Sequence, residues 1–246
     1  MPPAARNDPA LPKLSKVAQV LRSPYLARVL ARHRVLAGVE HRSVLAAELA
    51  TVVDVGANRG QFALAVREWA PRARVFSFEP LPEPAALFRR VFAGDSQVTL
   101  HEAALGPERT TLTMHVSGRD DSSSLLPIAA QSALFPGTGE VGLLEVPVAR
   151  LADFLQAADL QPPALLKLDV QGFEYDALLG CASLLSCFRW IYCECSFVEL
   201  YTGQKLAPAV IGLLAEHEFQ LSGVHNPSYD GAGRTIQADL LFLRAG

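Results

Sequence analysis

A chain of 246 residues, half of them apolar, can bury one large domain or two small ones. No apolar run approaches the roughly 18–20 residues that span a bilayer, so no transmembrane segment is expected. Net charge is −3, split as eight Lys or Arg against three acids in residues 1–48 and fourteen against twenty-two beyond. An acidic body argues against a nucleic-acid partner.

Residues 1–12 hold four prolines and are expected to form a disordered tail. Leu14, Val17 and Leu21, then Leu26, Val29 and Leu30 past Pro24, recur at helical spacing among Lys13, Lys16, Arg22, Arg28, Arg32 and Arg34. This basic amphipathic pattern predicts a cap with a solvated charged face. Contact with an acidic membrane surface is the weaker alternative. Residues 1–20 lack the unbroken apolar stretch of a secretory signal, which predicts a cytoplasmic protein. The Arg-rich, acid-poor start leaves an organelle transit peptide open. The expected division is a tail and basic cap over 1–48 and one α/β domain over 49–246.

Thr51 to Val55 is a short β-branched run carrying Asp54, followed by Gly56-Ala57-Asn58-Arg59-Gly60 and a helical pattern from Gln61 to Trp69. This reads as a buried strand, a tight loop and a helix start. Glycines let backbone approach a ligand closely, Asn tolerates positive φ, and the helix N-terminus offers unpaired N–H groups. Arg74 to Pro80 is a second strand ending in Glu79, Pro84 to Phe92 a helix, and Val98 to Leu105 a third strand. Thr110 to Val116 predicts an edge strand or hairpin. Residues 117–147, with the run Asp120-Asp121-Ser122-Ser123-Ser124, read as a long irregular loop, either a lid or a capped turn. Ala149 to Ala157 reads as a helix, Ala164 to Val170 as a buried strand with Asp169, and Glu174 to Leu185 as a helix. Trp190 to Cys195 is a strand bearing Glu194, Pro208 to His217 a helix, and Gln220–His225 with Gln237–Arg244 a closing strand pair. Alternating strands and helices predict a doubly wound, mostly parallel sheet. Cys181, Cys187, Cys193 and Cys195 match neither a disulfide framework nor a zinc ligand set, and read as small buried hydrophobes.

In such a sheet ligands bind beyond the carboxyl ends of the strands, where Asp54, Glu79 and Asp169 lie. Glu79 is placed to accept the ribose hydroxyls of an adenosine, with Pro80 beside it. Glu102-Ala103-Ala104 would border the adenine, and Gly56, Ala57, Asn58, Gly60 and Phe62 the rest of the cofactor, with Ser123 joining from the long loop. The G-x-G-x-x-G of a dinucleotide site is absent, and Asp54 would repel a pyrophosphate. S-adenosylmethionine, with a sulfonium and an ammonium, suits acidic strand tips.

The motifs Asp54-Val-Gly-Ala-Asn-Arg-Gly60, Phe78-Glu79-Pro80 and Lys167-Leu-Asp-Val-Gln-Gly-Phe-Glu174 resemble those of the FkbM-type methyltransferases. So do Glu194, Leu200-Tyr-Thr-Gly-Gln204 and Gln237-Ala-Asp-Leu-Leu-Phe242, giving coverage from about residue 51 to 244. The resemblance implies a Rossmann-like class I fold: a mostly parallel seven-stranded sheet with an antiparallel last strand and helices on both faces. It implies S-adenosylmethionine-dependent methyl transfer to a hydroxyl of a sugar, glycolipid or secondary metabolite, a small-molecule or glycan acceptor. The family form carries Glu where this chain has Gln171, so position 171 receives no catalytic role. Asp169, Glu194 and His225 are the expected catalytic residues, with a divalent metal an unsupported addition because no ligand motif is present. Alternative readings of these residues are a Lys167–Glu194 structural ion pair, a helix-dipole role for Glu174, and packing for Trp190 and Tyr201. A nucleotide-dependent oxidoreductase and a non-catalytic cofactor-binding protein are the rival functions.

Overall fold

A computed structural model describes residues 10–45 and 48–245. Most of the expected tail, residues 1–9, lies outside the described residues, while residues 10–12 already belong to a helix.

Two N-terminal helices, α1 (Ala10–Val20) and α2 (Pro24–His33), precede a 3-10 segment over Val39–Val44. Pro24 opens α2, where its missing N–H costs nothing, and the Ser23 hydroxyl accepts the Leu26 N–H at 3.2 Å as the cap. Seven strands follow in one sheet: β1 (Thr51–Val55), β2 (Arg74–Phe78), β3 (Val98–His101), β7 (Ala164–Leu168), β8 (Trp190–Ser196), β9 (Phe219–Tyr229) and β10 (Thr235–Arg244). Their spatial order is β3-β2-β1-β7-β8-β10-β9. Every pairing is parallel up to β8, and β10 runs antiparallel to both its neighbours. This is the expected Rossmann-like sheet, and the order reverses between β1 and β7, the switch point where such folds bind ligands.

β1 and β7 are buried along their whole length, as central parallel strands must be. Alternation splits their side chains between two cores. Val53, Phe76, Leu166 and Ile191 face α6 (Glu174–Cys181) and α7 (Ala207–Glu216). Val52, Val75, Leu165 and Tyr192 face α3 (Gln61–Trp69), α4 (Pro82–Val91) and the N-terminal helices. Val20, Leu26, Val29, Val35 and Val39 belong to that second core, so the N-terminal segment packs directly on the sheet.

Three expectations change. The third strand leaves the main sheet after His101, and β4 (Ala104–Leu105) pairs with β6 (Glu140–Ala149) instead. β6 in turn pairs with β5 (Thr110–Ser117), the expected Thr110–Val116 strand, so a separate three-stranded sheet forms in which most of β6 comes from what reads as loop in the sequence. Ala149–Ala157 is not an α-helix but a 3-10 turn at Leu151–Asp153, with a second at Ala157–Asp159. Asp153 and Asp159 accept the N–H groups of Arg150 and Gln156, at 3.0 and 2.9 Å, which closes each turn locally in competition with a continuous helix. Between β5 and β6 lie a 3-10 turn at Asp120–Ser122 and α5 (Gln131–Leu134).

No described helix is long and apolar enough to cross a membrane. Cys181, Cys193 and Cys195 are buried free thiols and Cys187 is half-buried; burial pushes Cys181 up to about 12.

Candidate active site

A cavity of about 360 Å³ opens at the carboxyl ends of β1, β2, β7 and β8. The loop after β1 forms its floor. Gly56 has φ +75°, and a Cβ there would stand 1.8 Å from the Asp169 carbonyl oxygen, so only glycine lets β1 and β7 exit side by side. Asn58 adopts φ +47°, and Gly60 caps α3 at φ +91°.

Beneath the loop, Lys167 is buried with Asp54. Its Nζ lies 3.1 Å from Asp54 Oδ1 and 3.8 Å from Asp169 Oδ2, and donates to the carbonyl of Gly56 at 3.0 Å and of Val55 at 3.4 Å. Burial pulls the ammonium down, but Asp54 and Asp169 outweigh it and hold Lys167 at about 12. Asp54 therefore does not face the ligand: it anchors the cation that holds the loop. Lys167 pairs with Asp54 rather than Glu194, which corrects the ion pair suggested by alternation alone.

Glu79, at the end of β2, accepts the Asn58 N–H on Oε2 and the Leu81 N–H on Oε1, each at 2.8 Å. Burial outweighs these bonds and pushes its carboxyl up to about 7. Each oxygen retains a lone pair, and the cavity wall continues over Pro80, Ala103 and Ala104.

At the opposite end Asp169, Gln171 and Glu194 come together. The Gln171 amide nitrogen donates to Asp169 Oδ1 at 2.7 Å and to Glu194 Oε2 at 3.0 Å. Its oxygen lies 2.9 Å from the Tyr201 hydroxyl, and the Gln237 amide donates to Glu194 Oε1 at 2.8 Å. Burial, then the charges of Asp169, Asp239 and Glu174, raise the Glu194 carboxyl well above its ordinary value. Glu174 stands at the start of α6, as its dipole role requires, but its Oε1 also accepts the N–H groups of Val170 and Gly172 at 3.0 and 3.1 Å. Burial still pushes it up to about 7. Tyr201 is fully buried, in keeping with packing.

The remaining wall comes from two segments. Arg119 to Ser123, Leu125, Gln131 and Phe135 line it from the stretch between β5 and β6. The Ser123 hydroxyl accepts the Ser117 N–H at 3.0 Å, and the Ser124 hydroxyl donates to the Gln171 carbonyl at 2.6 Å, so this wall is tied to the sheet. Gly38, Glu40 and His41 line it from the N-terminal 3-10 segment, with Phe62 beside them.

Of the residues singled out from sequence, Gly56, Ala57, Asn58, Phe62, Glu79, Pro80, Ala103, Ala104, Ser123, Asp169 and Glu194 share this cavity. Asp54 and Gly60 support it from outside. Glu102 is exposed and bonded to Arg89 of α4, directed away from the cavity. His225 sits on β9 outside the lining, 3.4 Å from the Ser43 hydroxyl. The imidazole that does line the cavity is His41, which carries no sequence motif and is brought there by packing of the N-terminal segment. Gln171, which receives no catalytic role from sequence, also lines the cavity; its place two residues from Asp169 in one loop is the sequence signal for it.

The donor set fits S-adenosylmethionine. Glu79 offers acceptors to a diol, small alanines border it, and the acids Glu40 and Asp169 favour a cationic end and would repel a pyrophosphate. Among the described residues no three His, Cys, Asp or Glu side chains group as a metal site.

Residues 54–221 match the model of the methyltransferase FkbM domain. The 2-O-methyltransferase NoeI of Sinorhizobium fredii is 30% identical over 174 residues, 68% of this chain and 72% of that protein. The 31-O-demethyl-FK506 methyltransferase FkbM of Streptomyces tacrolimicus is 26% identical over 204 residues, 73% of this chain and 76% of that protein. Among solved structures, methyltransferase FkbM from Methylobacillus flagellatus superimposes with a TM-score of 0.53 at 17% identity, over 95% of this chain and 58% of that one, and so shares the fold. These matches do not favour an oxidoreductase or a non-catalytic binding protein. The chain belongs to the FkbM methyltransferase family and is an S-adenosylmethionine-dependent methyltransferase.

Proposed function

We propose that this chain methylates a hydroxyl oxygen on a small-molecule acceptor: a sugar, a glycolipid headgroup or a secondary metabolite. The supporting observation is one cavity with two unlike ends, Glu79 and the alanines at one and the Asp169–Gln171–Glu194 cluster at the other. The relatives NoeI and FkbM are both named for methyl transfer at oxygen. In this reading Glu79 holds the ribose and Ala103–Ala104 border the adenine. Gly56, Ala57 and Asn58 cradle the methionine portion, and Asp169 and Glu194 orient its ammonium and the acceptor. Bound S-adenosylmethionine supplies an electrophilic methyl on a sulfonium. The chain's task is to align an oxygen behind that methyl and exclude water.

The test has two parts. S-adenosylhomocysteine at about 100 times its dissociation constant should stabilise the fold by about 2.7 kcal/mol, NAD should not, and Glu79→Ala should abolish the effect. Labelled methyl from S-adenosylmethionine should then reach a hydroxyl among p-nitrophenyl glycosides and polyketide diols. Stabilisation by NAD alone, or transfer only to amines, overturns the reading.

A further inference from the structure

We propose that His41 is the catalytic base, its Nε2 accepting the proton of the acceptor hydroxyl while Tyr192 and Asp239 hold the other ring nitrogen in the donor role. The inference rests on the O-methyl-transfer reading above.

The tautomer follows from counting protons. Tyr192 has one hydroxyl hydrogen, and it goes to Asp239 Oδ2 at 2.8 Å, an oxygen that also accepts the Asn226 amide at 2.8 Å. A carboxylate has no hydrogen to return. The Tyr192 oxygen therefore meets its other neighbours as an acceptor: Asn226 Nδ2 at 3.1 Å and His41 Nδ1 at 3.1 Å. So Nδ1 of His41 must carry hydrogen, and in the neutral ring Nε2 carries the lone pair. Asp, Tyr and His stand here as orienting acid, relay and base, the arrangement by which a base is presented in one tautomer.

The ring is also held in place. Phe62 and Tyr192 meet it edge-on, with centroids at 5.3 and 5.5 Å. A Cβ at Gly38 would stand 2.8 Å from its Cδ2 and 3.4 Å from Nε2, so the glycine makes room for it. The side chain is 17% exposed, enough to pass a proton on to water. The rival carboxylates are each engaged, though not saturated: both Glu194 oxygens accept amide bonds from Gln171 and Gln237, and Asp169 accepts from Gln171 on Oδ1 and faces Lys167 at 3.8 Å on Oδ2.

The charged and titratable groups around His41 come from every neighbouring element. Glu40 lies 3.8 Å from Nε2 but is bonded to Lys16 of α1 at 2.6 Å. Asp239 is 3.8 Å from Nδ1, His225 of β9 meets the Tyr192 ring edge-on at 5.9 Å between centroids, and Lys167 and Asp169 act from the end of β7. Burial outweighs the three carboxylates and keeps the imidazole below its ordinary value, hence neutral at pH 7. When methyl passes from bound S-adenosylmethionine, the acceptor oxygen gains the C–O bond, the C–S electron pair returns to sulfur, and the hydroxyl proton goes to His41. The sulfonium's positive charge thus reappears on the imidazolium, and no oxidant or further reactant is needed.

The first test needs no acceptor. Long-range ¹⁵N–¹H spectra of the histidine-labelled full chain should show His41 as the Nδ1–H tautomer at pH 7.5, and Tyr192→Phe should shift it towards Nε2–H. An Nε2–H or imidazolium form in the wild type overturns the proposal. The second test uses a p-nitrophenyl glycoside. His41→Asn, which retains a donor near Tyr192, should bind S-adenosylhomocysteine within twofold of wild type and lose 10²-fold or more in kcat. His41→Ala should regain part of it with added imidazole. Turnover by His41→Asn within threefold of wild type overturns the base assignment alone. A wild type that binds S-adenosylhomocysteine and methylates amines but no hydroxyl overturns the O-transfer reading, and the base loses its substrate with it.

Discussion

Gln171 holds Glu194 through the same amide nitrogen that holds Asp169, with Nε2 3.0 Å from Glu194 Oε2 and 2.7 Å from Asp169 Oδ1. One neutral donor thus bridges two carboxylates that would otherwise meet at the same end of the cavity. Gln171→Glu removes that donor and adds a third acid, so one of the three must take up a proton. The folded-state carboxyl is then raised above its unfolded value of about 4.3. Its stabilising contribution is full below that pH and is lost as pH rises through the folded value. Urea denaturation should show a penalty that is small at pH 4 and grows to about 1–3 kcal/mol at pH 8. Curves that stay parallel to wild type across this range would refute the idea.

Glu79 links cofactor binding to pH. Burial pushes its carboxyl up to about 7, so without ligand its favourable contribution to stability is complete below about 4.5 and is lost towards 7. Glu174 behaves in the same sense. Ribose hydroxyls donating to Glu79 favour its ionised form and draw a proton out. S-adenosylhomocysteine should therefore bind up to about tenfold tighter at pH 7.5 than at pH 6. Titration calorimetry in buffers of different ionisation enthalpy should report proton release at pH 6. Glu79→Gln should bind weakly with no pH slope; an unchanged slope in that variant would remove Glu79 as the linked group.

The parts of the site legible in sequence are those made by one short stretch. The loop after β1, Glu79, and the Lys167–Glu174 block each sit where a strand ends, and local pattern finds strand ends. What the sequence hides is set by distant packing. β6 exposes every residue from Glu140 to Glu145, and its only apolar alternation, Leu144, Val146 and Val148, is short and interrupted by Pro147, with Gly137, Gly139 and Gly142 just ahead, so the stretch reads as loop. Glu102 turns outward because Arg89 on α4 takes its carboxylate. His225 falls outside the cavity because of the register of β9 on β10, which slips at two bulges flanking that stretch. His41 enters it because the N-terminal core docks on α3. Neither placement leaves a trace in spacing.

Lys167 and Asp54 form the buried pair on which the loop rests. Removing only the cation strands a charge in the core, a loss that typically costs about 3–5 kcal/mol. Lys167→Met should therefore unfold at markedly lower urea and bind S-adenosylhomocysteine poorly, since the Gly56 carbonyl loses its donor. Adding Asp54→Asn to that variant should recover part of the stability and little of the binding. A Lys167→Met protein within about 1 kcal/mol of wild type would show that the pair contributes no net stabilisation.

The N-terminal segment, which reads from its pattern as a basic cap with a solvated charged face, shares a core with the sheet, and we propose that the two unfold as one unit. Val20, Leu26, Val29, Val35 and Val39 are buried in the cluster that contains Val52, Phe62 and Tyr192. Deleting residues 1–48 would expose that face of the sheet to water and remove Gly38, Glu40 and His41 from the cavity wall. Each fully buried valine or leucine contributes about 1.5–3 kcal/mol, so the five together carry a gross burial term of about 7.5–15 kcal/mol, comparable with the roughly 5–15 kcal/mol by which a domain is usually stable. Residues 49–246 alone should show no cooperative thermal transition, whereas the full chain should show one transition by circular dichroism and by tryptophan fluorescence alike. A truncated protein melting cooperatively within about 5 °C of the full chain would establish the cap as an independent addition, and His41 as a residue the fold can lose without cost.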